Sequence, residues 1–197
     1  MDRLILFAKA PELGKVKTRL AQQIGGQKAL DAYIQLLRHL ARQLRRRTDV
    51  EVRITPDHAL DSLKALIPET WKVRPQGEGD LGARLTHAFQ EAFAEGCTKV
   101  AAIGADCPYI TNRDIDAAWE ALNQKDICVG PATDGGYWLL GMRAMQLALF
   151  QDIPWSTPEV LAQTLLKCRQ NSLTISLLPI LSDVDERTEW EAFLKSL

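Results

Sequence analysis

Four cations, Lys9, Lys15, Lys17 and Arg19, fall within eleven residues of a chain that is otherwise balanced in charge. Amines and guanidinium groups at this density suit a phosphate-bearing ligand, because each donates charge-assisted hydrogen bonds to anionic oxygens. Gly14, in the same stretch, lets backbone approach such a ligand closely. Carboxylates make a second set. Asp106 stands in Gly104-Ala-Asp-Cys-Pro108, Asp134 in Gly130-Pro-Ala-Thr-Asp-Gly-Gly-Tyr137, and Asp183 and Asp185 form a D-x-D pair. Asp oxygens are hard ligands suited to Mg2+ or Mn2+ beside a phosphate. Alternate residues of an extended segment share a face, so Asp183 and Asp185 can meet one cation. A third set is Gln76-Gly-Glu-Gly-Asp-Leu-Gly-Ala-Arg84. Its glycines suit a wall for a base and ribose, with Arg84 near the phosphates. Each set also has a plainer reading: a solvated basic loop, a capping Asp106, a hairpin turn at Asp134-Gly135-Gly136, and helix caps at Asp80 and Asp185.

These residues need elements to position them. Leu4 to Ala8 reads as a buried strand that stops at the basic loop, which then feeds a helix. Strands are expected at Val50 to Ile54, Trp71 to Arg74, Lys99 to Gly104, Asp126 to Pro131, Tyr137 to Met142 and Leu173 to Leu178. Between them the three-and-four spacing of apolar residues predicts helices at Gln27 to Arg47, Leu60 to Ile67 and Leu81 to Glu95. Further helices start at the capping-box-like Thr111-Asn-Arg-Asp114 and at Ser156-Thr-Pro-Glu159, and the last runs from Arg187 to Leu197. Alternating strands and helices imply an α/β three-layer sandwich with a mostly parallel sheet flanked by helices. Four of the five polar motifs follow a predicted strand, and ligands of such sheets bind beyond the carboxyl ends of the strands. Strand alternation divides Tyr137 and Trp138 between core and pocket.

The chain has 197 residues, with Lys+Arg 24 against Asp+Glu 25 and a net charge of −1. That length suits one domain over residues 1–197. The balance argues against a general nucleic-acid binder, and no apolar run is long enough to span a bilayer. Cys97, Cys107, Cys128 and Cys168 form no C-x-x-C pair, which reads as reduced thiols in a cytoplasmic protein. His39, His58 and His87 share no metal-ligand spacing. The chain lacks a Walker A loop, a serine nucleophile elbow and a plausible Cys/His pair.

Taken in order, Phe7-Ala-Lys-Ala-Pro, Gly14-x-Val-Lys-Thr-Arg-Leu20, Gly79-Asp-Leu-Gly82, Gly104-Ala-Asp-Cys-Pro108, Gly130-Pro-Ala-x-Asp-Gly-Gly-Tyr137, Trp155-Ser-Thr and Asp183-Val-Asp resemble a known family. It is the bacterial glycosyltransferase-like family of the nucleotide-diphospho-sugar transferase superfamily, some members of which are linked to arsenosugar biosynthesis. The resemblance spans nearly the whole chain and implies a GT-A, Rossmann-like fold. The residues themselves point to a nucleotide site drawing on Lys9, Gly14, Gly79, Asp80, Leu81, Gly82 and Arg84, and the resemblance implies phosphate binding by Lys17 and Arg19. It further implies a metal site at Asp106, Asp183 and Asp185. The first loop departs from the glycine-rich loops of many relatives, having only Gly14 between Lys9 and Arg19.

The expected activity is a metal-dependent glycosyl transfer from a nucleotide-diphosphate sugar to a small-molecule acceptor, with Mg2+ or Mn2+ as cofactor. Lys17 and Arg19 would stabilise charge on the leaving diphosphate, and Asp134 would orient or deprotonate the acceptor. Two rivals share the same residues. One is a guanylyltransferase-like nucleotidyltransferase that joins a nucleoside monophosphate from a triphosphate to a phosphorylated small acid and releases pyrophosphate; the other is a nucleotide-binding module without turnover.

Overall fold

The computed structural model describes residues 1–197. Seven strands form one sheet: β1 (Asp2–Lys9), β2 (Val50–Thr55), β3 (Lys72–Pro75), β4 (Lys99–Gly104), β5 (Ile127–Pro131), β6 (Tyr137–Met142) and β7 (Ile175–Leu177), in the order β3-β2-β1-β4-β6-β5-β7. Pairings of β1 with β2 and β4, β2 with β3, and β5 with β7 are parallel; β6 runs antiparallel to both β4 and β5. The α/β sandwich read from the sequence is therefore correct, with one reversed strand inside it. Strand order turns around between β1 and β4, which makes the carboxyl ends of these two strands the switch point where such sheets bind ligands.

The helices are α1 (Thr18–Ile24), α2 (Gly26–Leu44), α3 (Leu81–Ala94), α4 (Asn112–Gln124), α5 (Val160–Gln170) and α6 (Arg187–Lys195). Helix α2 buries Tyr33, Leu37, Leu40 and Leu44 against one face of the sheet, where α4 adds Ile115, Ala118 and Leu122. Helix α3 buries Leu85, Ala88, Phe89 and Ala92 against the other, and α5 brings Cys168 to the same core. Leu4, Leu6 and Ala8 of β1 enter the α2 core while Ile5 enters the α3 core, so the middle of this central strand is an apolar run, as burial on both faces favours.

Several expectations shift. The helix expected at Leu60 to Ile67 is a 3-10 segment at Asp57–Leu63, interrupted at Ala59, where φ is −96° and ψ is 24°. The helix expected from Ser156 begins only at Val160, because Thr157 Oγ1 donates to Pro154 O and holds a turn ahead of it. The late strand shrinks to Ile175–Leu177. The capping box at Thr111 is present, with Asp114 accepting from the Thr111 N–H at 2.8 Å. All four cysteines are free and buried.

Candidate active site

Lys17 ends the basic loop and caps α1 in the left-handed conformation, φ 47° and ψ 47°. That backbone costs an L-residue about 1–2 kcal/mol, and strain of this kind collects at functional sites. The reward is placement. The Lys17 side chain is only 2% exposed, yet its ammonium reaches Asp106 Oδ1 at 2.6 Å and Asp185 Oδ1 at 2.9 Å. Burial works against the ammonium, but the two carboxylates outweigh it and hold its pKa above the usual lysine value. Arg19, largely exposed, stands 3.7 Å from Asp185 Oδ2.

Three chain segments converge there. The Val184 N–H donates to Asp106 O at 3.0 Å, tying the D-x-D segment to the loop after β4. The Thr133 N–H donates to Leu181 O at 3.1 Å, and Thr133 Oγ1 lies 3.1 Å from Ser182 Oγ. These bonds draw the loop between β5 and β6 alongside. Asp183 is consequently pushed up to about 7, by burial first and then by the charges of Asp106 and Asp134, with Lys17 opposing and Asp185 adding. Asp185 does not cap α6; Glu186 does, through a capping box with Glu189.

The carboxylates do not close into a cage: no group of three His, Cys, Asp or Glu side chains is placed to hold a cation. Asp106 and Asp185 stay half-exposed beside Lys17. Such a donor set fits a cation shared with a ligand's phosphate, since Mg2+ usually takes one or two carboxylates together with phosphate oxygens and water.

The remaining expected residues lie around this cluster. Lys9 is exposed at the end of β1. Gly14 has φ +74° and open space where a side chain would be. Asp80 caps α3 by accepting from the Ala83 N–H at 2.8 Å, and Leu81 is 40% exposed. Gly79 has φ +94°, and Gly82 lies under the indole of Trp155, which a Cβ there would strike. Arg84 is turned onto the protein itself: Nε donates to Gly79 O at 2.9 Å, and its terminal nitrogen to Thr55 Oγ1 and Gln76 Oε1 at 3.3 Å. No ion pair joins Lys9 or Arg84 to the acidic cluster. Asp134 accepts from the Gly136 N–H at 2.9 Å within its own turn.

Two site-shaping residues escaped the sequence reading. The Tyr33 hydroxyl accepts from the Lys9 N–H at 2.9 Å and donates to Lys9 O at 2.8 Å, clamping the start of the basic loop. Burial and the nearby Asp106 charge raise the phenol's pKa, keeping it a neutral donor. Buried Gln76 donates to Ala8 O at 2.9 Å and Arg53 O at 3.0 Å, lacing the ends of β1 and β2 to the segment that carries Arg84. Tyr33 falls on the core-facing pattern of a helix, so nothing in its spacing distinguishes it from packing. Gln76 stands among glycines whose conformations draw attention first.

A sheet of this order, with its charged groups gathered beyond the ends of β1 and β4, has the architecture of nucleotide-sugar transferase structures. The chain belongs to the family described as "Uncharacterized protein conserved in bacteria (DUF2064)", whose profile matches residues 37–157. It is similar over 99% of its length, at 32% identity and a TM-score of 0.92, to a Desulfovibrio desulfuricans G20 protein proposed to be a nucleotide-diphospho-sugar transferase, 87% of which is covered. More distant solved structures share the fold. One is CMP:2-keto-3-deoxy-manno-octonic acid synthetase complexed with CTP, at 9% identity and a TM-score of 0.62, covering 100% of this chain and 99% of that one. Another is Rv0371c of Mycobacterium tuberculosis H37Rv in complex with manganese, at 16% identity and a TM-score of 0.53, covering 100% and 98%. No curated protein matches the sequence. No helix is long and apolar enough to cross a membrane.

Proposed function

We propose that the protein is a transferase acting on a nucleotide-bound diphosphate, moving a sugar from a nucleotide-diphosphate donor to a small acceptor. One observation carries this reading: the buried Lys17 ammonium, held between Asp106 and Asp185 at the switch point of the sheet. A lysine fixed this way is pre-organised, and pre-organised charge stabilises a leaving group without reorganising during the reaction. Lys17 supplies that charge from within. Arg19, free to swing at the rim, adds a second cation as the diphosphate departs.

Asp106, Asp183 and Asp185 would hold Mg2+ or Mn2+, which when bound would neutralise the diphosphate as a Lewis acid. Asp134, exposed on the neighbouring loop, would orient an acceptor hydroxyl or take its proton. Gly79 to Gly82 and the Arg84 segment present backbone for the nucleoside, while Lys9 and Gly14 complete the loop over the phosphates. The family kinship with the Desulfovibrio protein and the shared fold of a CTP-bound enzyme support a nucleotide ligand.

The test is product analysis. Purified protein with Mg2+, a panel of nucleotide sugars and small hydroxylated acceptors should release nucleoside diphosphate. Pyrophosphate release from a nucleoside triphosphate would identify nucleotidyl transfer instead. Tight nucleotide binding with neither product would leave a binding module.

A further inference from the structure

The ends of β1 and β4 also leave an open place on the α3 side. Phe7 and Gly104 are register partners there. Alternation puts both on that side, because Ile5 of β1 and Val100 and Ala102 of β4 belong to the α3 core. Gly104 sits in a central strand that is otherwise covered on both faces. A Cβ built on it would nonetheless meet nothing nearer than Asp106 N at 3.9 Å, and the residue is part-exposed.

What surrounds the opening is aromatic. Phe7 flanks it on β1. On the other side of β4 stands β6, whose pairing with β5 slips between Gly130 and Pro131. A bulge of this kind re-aims side chains. Trp138 turns into the α2 core, over Gly130, and donates to Pro179 O at 3.1 Å, while Tyr137 packs on the α3 core. The Tyr137 hydroxyl is buried and has no hydrogen-bond partner, a condition that costs about 1–3 kcal/mol. Trp155 packs on the same core, with its indole nitrogen over Gly82.

We infer that the recess over Gly104, bordered by Phe7 and Tyr137 with Trp155 on the same face, holds an uncharged polyhydroxylated ring. Aromatic faces accept the C–H side of a sugar, and an unpaired phenol answers a hydroxyl. Asp106, which pairs with the proposed phosphate-binding Lys17, stands two residues further on, so one ligand can lie across both. This inference rests on the transferase reading and adds where the transferred sugar, or a sugar-like acceptor, is read.

The experiment is calorimetry in Mg2+ on wild type, Gly104→Val and Tyr137→Phe. The probes are five nucleoside diphosphates (of adenosine, cytidine, guanosine, thymidine and uridine), their glucose conjugates, and free hexoses added with the diphosphate. Wild type should bind one conjugate at least tenfold more tightly than its bare diphosphate. Gly104→Val should erase that advantage and Tyr137→Phe should cut it about fivefold, both keeping the diphosphate affinity within twofold. If the advantage appears only for a free hexose and vanishes in Gly104→Val, the occupant is the acceptor. Sugar binding unchanged in both variants would overturn the recess alone, and so would an equal loss for the bare diphosphate. No nucleotide binding by wild type would instead remove the transferase reading, and the recess with it. Should Gly104→Val fail to fold, Tyr137→Phe decides.

Discussion

Lys17 carries more of the account than any other residue. Its side chain is sealed, its backbone strained and its charge shared between two carboxylates. Lys17→Met keeps the volume and removes the charge. Nucleotide affinity should fall about 10–100-fold, as expected when a charge-assisted hydrogen bond is lost, and titration calorimetry reads it directly. Tyr33→Phe acts one step back. Losing both bonds to Lys9 should cost about 1–3 kcal/mol of stability, visible in urea unfolding, together with a smaller loss of phosphate affinity. The two residues differ in how legible they are. Lys17 belongs to a dense run of cations after an apolar strand, a pattern that points to a ligand. Tyr33 contributes through a hydroxyl at the tip of a core side chain, and only the fold reveals what that tip touches.

Elements explain which sequence patterns succeeded. β1, β4 and α3 lie where apolar periodicity placed them, because long buried segments leave strong patterns. The short pieces drifted. β7 keeps only three residues, and its anchor is chemical rather than apolar: Asp126 accepts from the Thr174 N–H at 2.9 Å and from its hydroxyl at 2.6 Å. Those bonds, with Arg143 nearby, lower the Asp126 pKa to about 2. A depressed folded-state pKa adds stability above the ordinary carboxylate value and loses it as pH falls. Asp126→Asn should therefore destabilise by about 1 kcal/mol at pH 7, with the gap to wild type closing between pH 4 and 2 in urea titrations.

β2 carries a less visible case. Val-Glu-Val-Arg-Ile alternates like a strand with one wet face, yet Glu51 and Arg53 are each 1% exposed. Glu51 pairs with Arg3 at 2.9 Å and Arg53 at 2.7 Å, and Arg53 faces Glu91 of α3 at 2.6 Å. The polar face is covered by a helix that brings its own charges. Glu51→Ala would take one carboxylate partner from each of two buried guanidinium groups, leaving Arg3 with Glu95 and Arg53 with Glu91, and should cost about 1–3 kcal/mol, measured as a lower thermal midpoint with nucleotide affinity preserved.

At the scale of the molecule, strand order decides where chemistry can happen. The strand order turns around between the parallel neighbours β1 and β4, and the loops after those strands carry Lys17 and Asp106. A backbone bond from Val184 to Asp106 brings in the D-x-D segment from far along the chain. The alternating strand-helix pattern pointed to the edge beyond the strand carboxyl ends, and the resemblance proposed residues for it. The reversed β6 follows the hairpin turn that Asp134-Gly135-Gly136 offered as its plainer reading, whereas the bulge at its start left no mark in the apolar pattern. The measurement that bears most directly on the central claim is a thermal-shift titration of wild type and Lys17→Met with Mg2+ and a panel of nucleotide sugars and nucleoside triphosphates. A native-state ligand raises the midpoint by mass action. The account predicts a cation-dependent rise with one nucleotide sugar, larger than with the matching triphosphate and absent in Lys17→Met. No rise with any nucleotide, or an equal rise in both proteins, would contradict it.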